Sequence, residues 1–119
     1  MSKTLELTAE GITARLEIRH ATVGDAMQRG ILAARASNTE YANEAEQAVA
    51  LMIYPRCVAC TEGTLEKNGK VKDVRTMTAA EFIALPYEIG EMWLAAVLEE
   101  NPGWSLQAES SDETAQKKD

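Results

Sequence analysis

Between Thr4 and Arg19 apolar and polar side chains alternate. Leu5 and Leu7 precede Glu10-Gly11, and Ile12, Ala14, Leu16 and Ile18 follow it, separated by Thr13, Arg15, Glu17 and Arg19. A period of two interrupted by a glycine-containing turn predicts a β-hairpin with one apolar face. Two strands alone are marginal in water, so that face must be covered by a helix of the same chain or by the sheet edge of another copy.

After Arg19 the period lengthens. Thr22 is placed to cap a helix, Asp25 follows three residues on, and Val23, Met27, Ile31 and Ala34 form a stripe that predicts a helix over 23–36. Ser37-Asn38-Thr39 interrupts it, and Tyr41, Ala45, Ala48, Val49, Met52 and Ile53 predict a second amphipathic helix. Pro55 should kink or end that helix, with Val58 and Ala59 adding a further turn towards Gly63. Thr64 to Lys72 carries Asn68-Gly69, the strongest short hairpin signal. A two-residue turn there pairs Lys67 with Lys70 and Glu66 with Val71, and puts Leu65 and Val71 on opposite faces. A hairpin without an apolar side is expected to be an exposed, mobile excursion.

Thr78-Ala79-Ala80-Glu81 is a capping box, and Met77 and Phe82 stand at the positions of a hydrophobic staple. A short helix to about Ala84 follows. Leu85-Pro86 interrupts it, Pro86 suits the first turn of a new helix, and Ile89, Met92, Trp93, Ala96 and Val97 give a broad stripe that stops at Asn101-Pro102. Beyond Gly103 only Trp104 and Leu106 are large and apolar. The expected fold is mainly α within the α+β class: a small N-terminal β-hairpin followed by amphipathic helices. It forms a single globular domain over 1–103, with a disordered acidic C-terminal tail over 104–119.

Composition narrows the function. With 119 residues the chain fits one domain whose core needs neither disulfide nor metal, and 19 Ala against one Phe, two Trp and three Tyr point to closely packed helices. Twelve Lys and Arg against 19 Asp and Glu leave a net charge of −7, and no basic cluster is present, so nucleic acid and anionic membrane are poor partners. No apolar run approaches the length of a membrane span, and the N-terminus lacks a secretory pattern, so a cytoplasmic location is expected.

Candidate chemistry is sparse. Cys57 and Cys60 have the spacing of a redox pair or half a zinc site, but they follow a helical pattern instead of a strand, and His20 is the sole His. They are read as small buried apolar residues. His20 at a strand end has no nucleophile at a recognisable spacing, and the Glu88/Glu91 and Glu99/Glu100 pairs read as solvated helix surface. No catalytic or metal centre and no cofactor is expected. Met77, Met92, Trp93 and Trp104 gather in the final third, where adaptable contact residues suit a partner. The stripe Ile89, Met92, Trp93 and Val97 reads first as core and Trp104 as docking back onto the domain; the candidate partner-binding residues are the exposed members of that stripe, together with Trp104 should it meet another chain instead.

Met77 to Pro86, leading into Trp93 to Pro102, resembles the tail assembly chaperones of long-tailed (siphovirus-type) bacteriophages and prophages. In that family a T-x-x-E-F-x-x-L-P start, here Thr78 to Pro86, precedes an amphipathic helix closing on N-P, here Asn101-Pro102. The match covers about residues 76–103. Residues 4–62 agree in layout, and the Cys pair and the Asn-Gly segment fall outside the pattern. The resemblance implies a non-catalytic protein, several copies of which bind the long, helical, aggregation-prone tape-measure protein and pass it to tail-tube subunits. Such a protein acts in the host cytoplasm and is absent from the mature virion. A homo-oligomer is expected, because the hairpin presents edges. Two other classes stay open: a generic acidic interaction module, such as an adaptor or small phage-encoded inhibitor, and a thiol- or zinc-dependent protein using Cys57 and Cys60.

Overall fold

The computed structural model describes residues 2–105 and shows an α+β fold in which an N-terminal antiparallel hairpin is followed by helices. Strands β1 (Ser2–Ala9) and β2 (Ile12–Arg19) are joined by Glu10 and Gly11, both at positive φ (51° and 81°), the signature of a tight type I′ turn. The inward residues Ala14, Leu16 and Ile18 are buried, whereas Arg15 and Glu17 point outward into solvent.

The hairpin is half of the sheet. β3 (Thr61–Lys67) and β4 (Lys70–Asp73) extend it to four antiparallel strands in the order β1-β2-β3-β4. The Asn68-Gly69 turn pairs Lys67 with Lys70 and Glu66 with Val71, the register read from the sequence. It is nevertheless no free excursion. β3 pairs along its length with β2, from Ile12↔Lys67 to Ile18↔Thr61, so it needs no apolar face shared with β4. Leu65 is buried, Val71 is exposed, and Lys72, level with Leu65, forms an ion pair with Glu81 at 2.8 Å. At Gly63, φ is +138° and a Cβ would stand 2.0 Å from the Arg15 carbonyl oxygen, so only glycine allows β3 to lie this close to β2.

Helix α1 (Val23–Ser37) is closed by a capping box in which the Thr22 hydroxyl accepts from the Asp25 amide and the Asp25 carboxylate accepts from the Thr22 amide. Arg19 bonds to Asp25 at 3.0 Å. Burial opposes ionisation of Asp25, but the hydrogen bonds from Arg19 and Thr22 and the Arg19 charge together outweigh it and hold the carboxylate below its ordinary range. α1 buries Leu32 and Ala36, whereas Val23, Met27 and Ile31 face solvent.

Asn43 caps α2 (Glu44–Ala48), which runs through a π-helical segment, Val49–Ile53, into α3 (Tyr54–Ala59). Pro55 does not end this helix. Its missing donor and its ring are accommodated by the widened turn just before it, in which the Tyr54 amide donates to Val49, five residues back. The helix stops at Ala59 instead of running towards Gly63, because Thr61 already belongs to β3.

A 3-10 turn (Val74–Thr76) leads to α4 (Ala79–Ile83), whose capping box joins Thr78 and Glu81 at 2.8 and 3.2 Å and whose flanking Met77 and Phe82 are both buried. Pro86 caps α5 (Tyr87–Glu100) from one residue outside it. Along α5, Ile89, Trp93, Ala96 and Val97 are buried in the core shared with the sheet. At its end Asn101 accepts from the Ala21 amide at 2.7 Å and donates to the Arg19 carbonyl at 2.9 Å, stitching the last helix to the β2–α1 junction. A 3-10 turn, Pro102–Trp104, then folds back: Trp104 lies under Arg29, and its carbonyl accepts from Arg56 Nε at 2.7 Å. Trp104 therefore packs with the domain, although the expected boundary fell at 103. The expected disordered tail otherwise lies outside the described residues.

Candidate functional site

An apolar groove of about 450 Å³ runs between the α2–π segment and the α4–α5 corner. Ala45, Val49 and Ile53, spaced four residues apart, form one wall. Ile83, Leu85, Pro86, Gly90 and Leu94 form the other, with Phe82 between them. The corner exists because the residue before a proline is driven out of the helical region, so the chain must leave α4 at Leu85 and restart at Pro86. The Leu85 amide donates to the Phe82 carbonyl at 3.1 Å, and the Pro86 carbonyl accepts from the Ile89 and Gly90 amides.

Aromatic packing holds the groove in place. Tyr54 meets Phe82 edge-on at 5.9 Å, Phe82 meets Trp93 at 5.4 Å, and the Tyr54 hydroxyl donates to the Met77 carbonyl at 2.7 Å. The charged residues that line the groove are both carboxylates, Glu46 and Glu91. Beside Glu91, the exposed Tyr87 hydroxyl is hydrogen-bonded to the carboxylate, which raises its pKa above the ordinary phenol range. Such a surface can hold an apolar helix face.

The five residues singled out in the sequence do not form one surface. Ile89, Trp93 and Val97 have no solvent exposure, because the α5 stripe faces the sheet and the Trp93 indole is fixed by the Thr61 hydroxyl. As core residues they cannot meet a partner in this fold. Met92 is 46% exposed at the margin of the buried α5 stripe, and Trp104 is half-buried against Arg29. Ile83, Leu85, Pro86 and Leu94 supply the accessible apolar surface. The signal for three of them was already present in the T-x-x-E-F-x-x-L-P stretch.

Cys57 and Cys60 are free thiols without solvent exposure in the packing of α3. Burial pushes the Cys57 thiol well above its ordinary value and Cys60 up to about 11. Among the described residues no group of three or more His, Cys, Asp and Glu is arranged to hold a metal ion, and no helix is long and apolar enough to cross a membrane. His20 Nδ1 lies 3.1 Å from the Glu100 carbonyl oxygen, at the same junction as Asn101. The chain matches no known protein-family model, no curated protein and no solved structure.

Proposed function

We propose that this chain is a non-catalytic assembly chaperone that shields helical segments of a phage tape-measure protein. One observation carries the reading. The stretch on which the resemblance rests, Thr78 to Pro86, builds a wall and the corner of the apolar groove. A groove flanked by helices and lined by aliphatic side chains suits an amphipathic helix laid in by its apolar face, read as anchors at positions i, i+3, i+4 and i+7. A tape-measure protein is a long series of such helices. Each exposed apolar stripe promotes its aggregation until it is covered.

The charge pattern fits a client of this kind. With a net charge of −7 the chain stays soluble while presenting apolar surface, and the carboxylates of Glu46 and Glu91 tolerate cations flanking a client helix. Binding rests mainly on apolar contact, so salt should weaken it little. The test is co-expression with a fragment of the tape-measure protein encoded near it. The fragment should move from the insoluble to the soluble fraction and co-purify with the chain. If it stays insoluble, the chaperone reading is lost and a generic interaction module replaces it.

A further inference from the structure

The two edges of the sheet differ in a way that identifies a partner. β4 is four residues long and carries Lys70 and Lys72, the usual guard against strand addition. β1 is eight residues long, without proline, and pairs with β2 in register from Ser2 to Ala9. The backbone parity of β1 follows from its turn. Ala9 and Ile12 flank the two-residue turn and form a hydrogen-bonded pair, so Leu7, Leu5 and Lys3 also direct their amides and carbonyls towards β2. The other side of β2 confirms the alternation, since the Arg19 amide donates towards β3, to the Cys60 carbonyl at 2.8 Å. Ser2, Thr4, Glu6 and Thr8 therefore point their backbone groups away from the sheet. No backbone or side-chain partner is seen for those groups among the described residues.

We propose that β1 pairs antiparallel with β1 of a second copy, about a two-fold axis at Leu5, joining two four-stranded sheets into one of eight strands. The sequence of β1 selects this register. Paired residues must share a face, and residues whose backbone groups point outward must face each other so that each amide meets a carbonyl. Pairing about Leu5 sets Ser2 against Thr8 and Thr4 against Glu6 of the second copy, four pairs that exchange about eight hydrogen bonds. Pairing about Glu6 gives fewer bonds and places two carboxylates face to face, which like charges disfavour. Pairing about Thr4 leaves Thr8 unpaired. Around Leu5, the half-exposed Leu5 meets its own copy and Leu7 lies beside the stem of Lys3. Lys3, the one charge on the inner side of this edge, is drawn onto α5 by Glu99 at 2.6 Å, so it brings no unpaired charge to the seam. This inference is independent of the chaperone reading, since the groove does not include β1.

The full chain should sediment at twice its 13.0 kDa mass in the micromolar range. Leu5→Cys should form a disulfide-linked dimer on mild oxidation, because a non-hydrogen-bonded pair across the axis stands within disulfide range. Thr4→Cys should not, since it faces Glu6. Cys57 and Cys60 are buried and do not compete. Glu6→Pro removes an outward amide while leaving the bonds to β2 intact, and should raise the dimer dissociation constant about tenfold or more with an unchanged circular dichroism spectrum. If Glu6→Pro fails to fold, the two cysteine variants decide alone. A monomeric wild-type chain, a folded Glu6→Pro variant that dimerises like wild type, or equal cross-linking by Thr4→Cys would each overturn the proposal.

Discussion

The Trp93 indole Nε1 donates to the Thr61 hydroxyl across 2.9 Å, with both side chains wholly buried, so the last long helix is tied to the first residue of β3. A buried indole N–H without an acceptor bears its full desolvation cost. Thr61→Val keeps the shape and removes the acceptor. It should lower stability by about 1–3 kcal/mol, visible as a fall in the denaturant midpoint with an unchanged slope. An unchanged midpoint would mean that Trp93 finds another partner or that the contact is not formed.

That contact also marks where sequence patterning stops. The N-terminal hairpin, α1, the Thr78–Glu81 box and α5 were legible because each has a strict period or a complete cap. β3 was not, since its neighbours in space are far from it in sequence. Taken with β4 alone, Leu65 and Val71 fall on opposite faces and no core appears; taken with β2, Thr61 and Leu65 continue the buried face of Leu16 and Ile18. The groove was missed for a related reason. The stripe Ile89, Met92, Trp93 and Val97 reads as core, but which of its members stay exposed is fixed only by the sheet packed against it, and Ile83 and Leu94 acquire meaning only when α2 is placed opposite.

α1 offers a sharp check on orientation. The stripe Val23, Met27 and Ile31 has helical spacing but is 80%, 66% and 44% exposed, while Leu32 is buried. Met27→Lys should therefore change stability by less than about 0.5 kcal/mol, and Leu32→Ala should cost about 2–5 kcal/mol. Thermal melts of the two variants distinguish this packing from one in which the stripe faces inward, where the order would reverse.

Stability should fall at both ends of the pH range. Cys60 keeps its proton up to about 11 in the fold against an ordinary value of 9.0, and burial moves Cys57 and Tyr54 in the same direction. A folded pKa above the unfolded one gives stability that is complete below pH 9 and declines as the pH rises towards 11. Asp25 has the opposite sign. Its folded pKa lies below the ordinary 3.8, so its contribution is present above that value and is lost as the pH falls through the folded one. In urea titrations, Cys60→Ala should lessen the alkaline decline, with Cys57 and Tyr54 keeping the rest, and leave the acid limb unchanged; Asp25→Asn should lessen the acid decline and, by removing the charge that helps raise Cys60, also soften the alkaline one.

Trp104 should behave as a structural residue. The Arg29 guanidinium sits 4.8 Å from its ring centroid, an interaction of about 0.5–1 kcal/mol at a partly exposed site, and the ring covers part of the core as well. Trp104→Ala should lower the melting temperature by several degrees, since 1 kcal/mol corresponds to roughly 4–8 °C in a domain of this size. A melt identical to wild type would show that the turn does not hold the ring against the domain.

The groove and the other accessible candidates can be separated by one set of variants. Ile83→Glu and Leu94→Glu add charge to opposite ends of the α4–α5 wall at half-buried positions, so the core beneath should remain intact. A carboxylate there would have to be desolvated beside an apolar client helix, a cost that few contacts could offset. Both variants should lose co-purification of the tape-measure fragment while melting within a few degrees of wild type. Met92→Ala, on exposed surface outside the groove, should retain it, and Trp104→Ala should retain it at temperatures where the domain stays folded. If the Met92 variant loses the client and the groove variants keep it, the contact surface is the outer side of α5 instead of the groove. Loss in all four variants at normal stability would mean a client that wraps around the α5 end of the molecule.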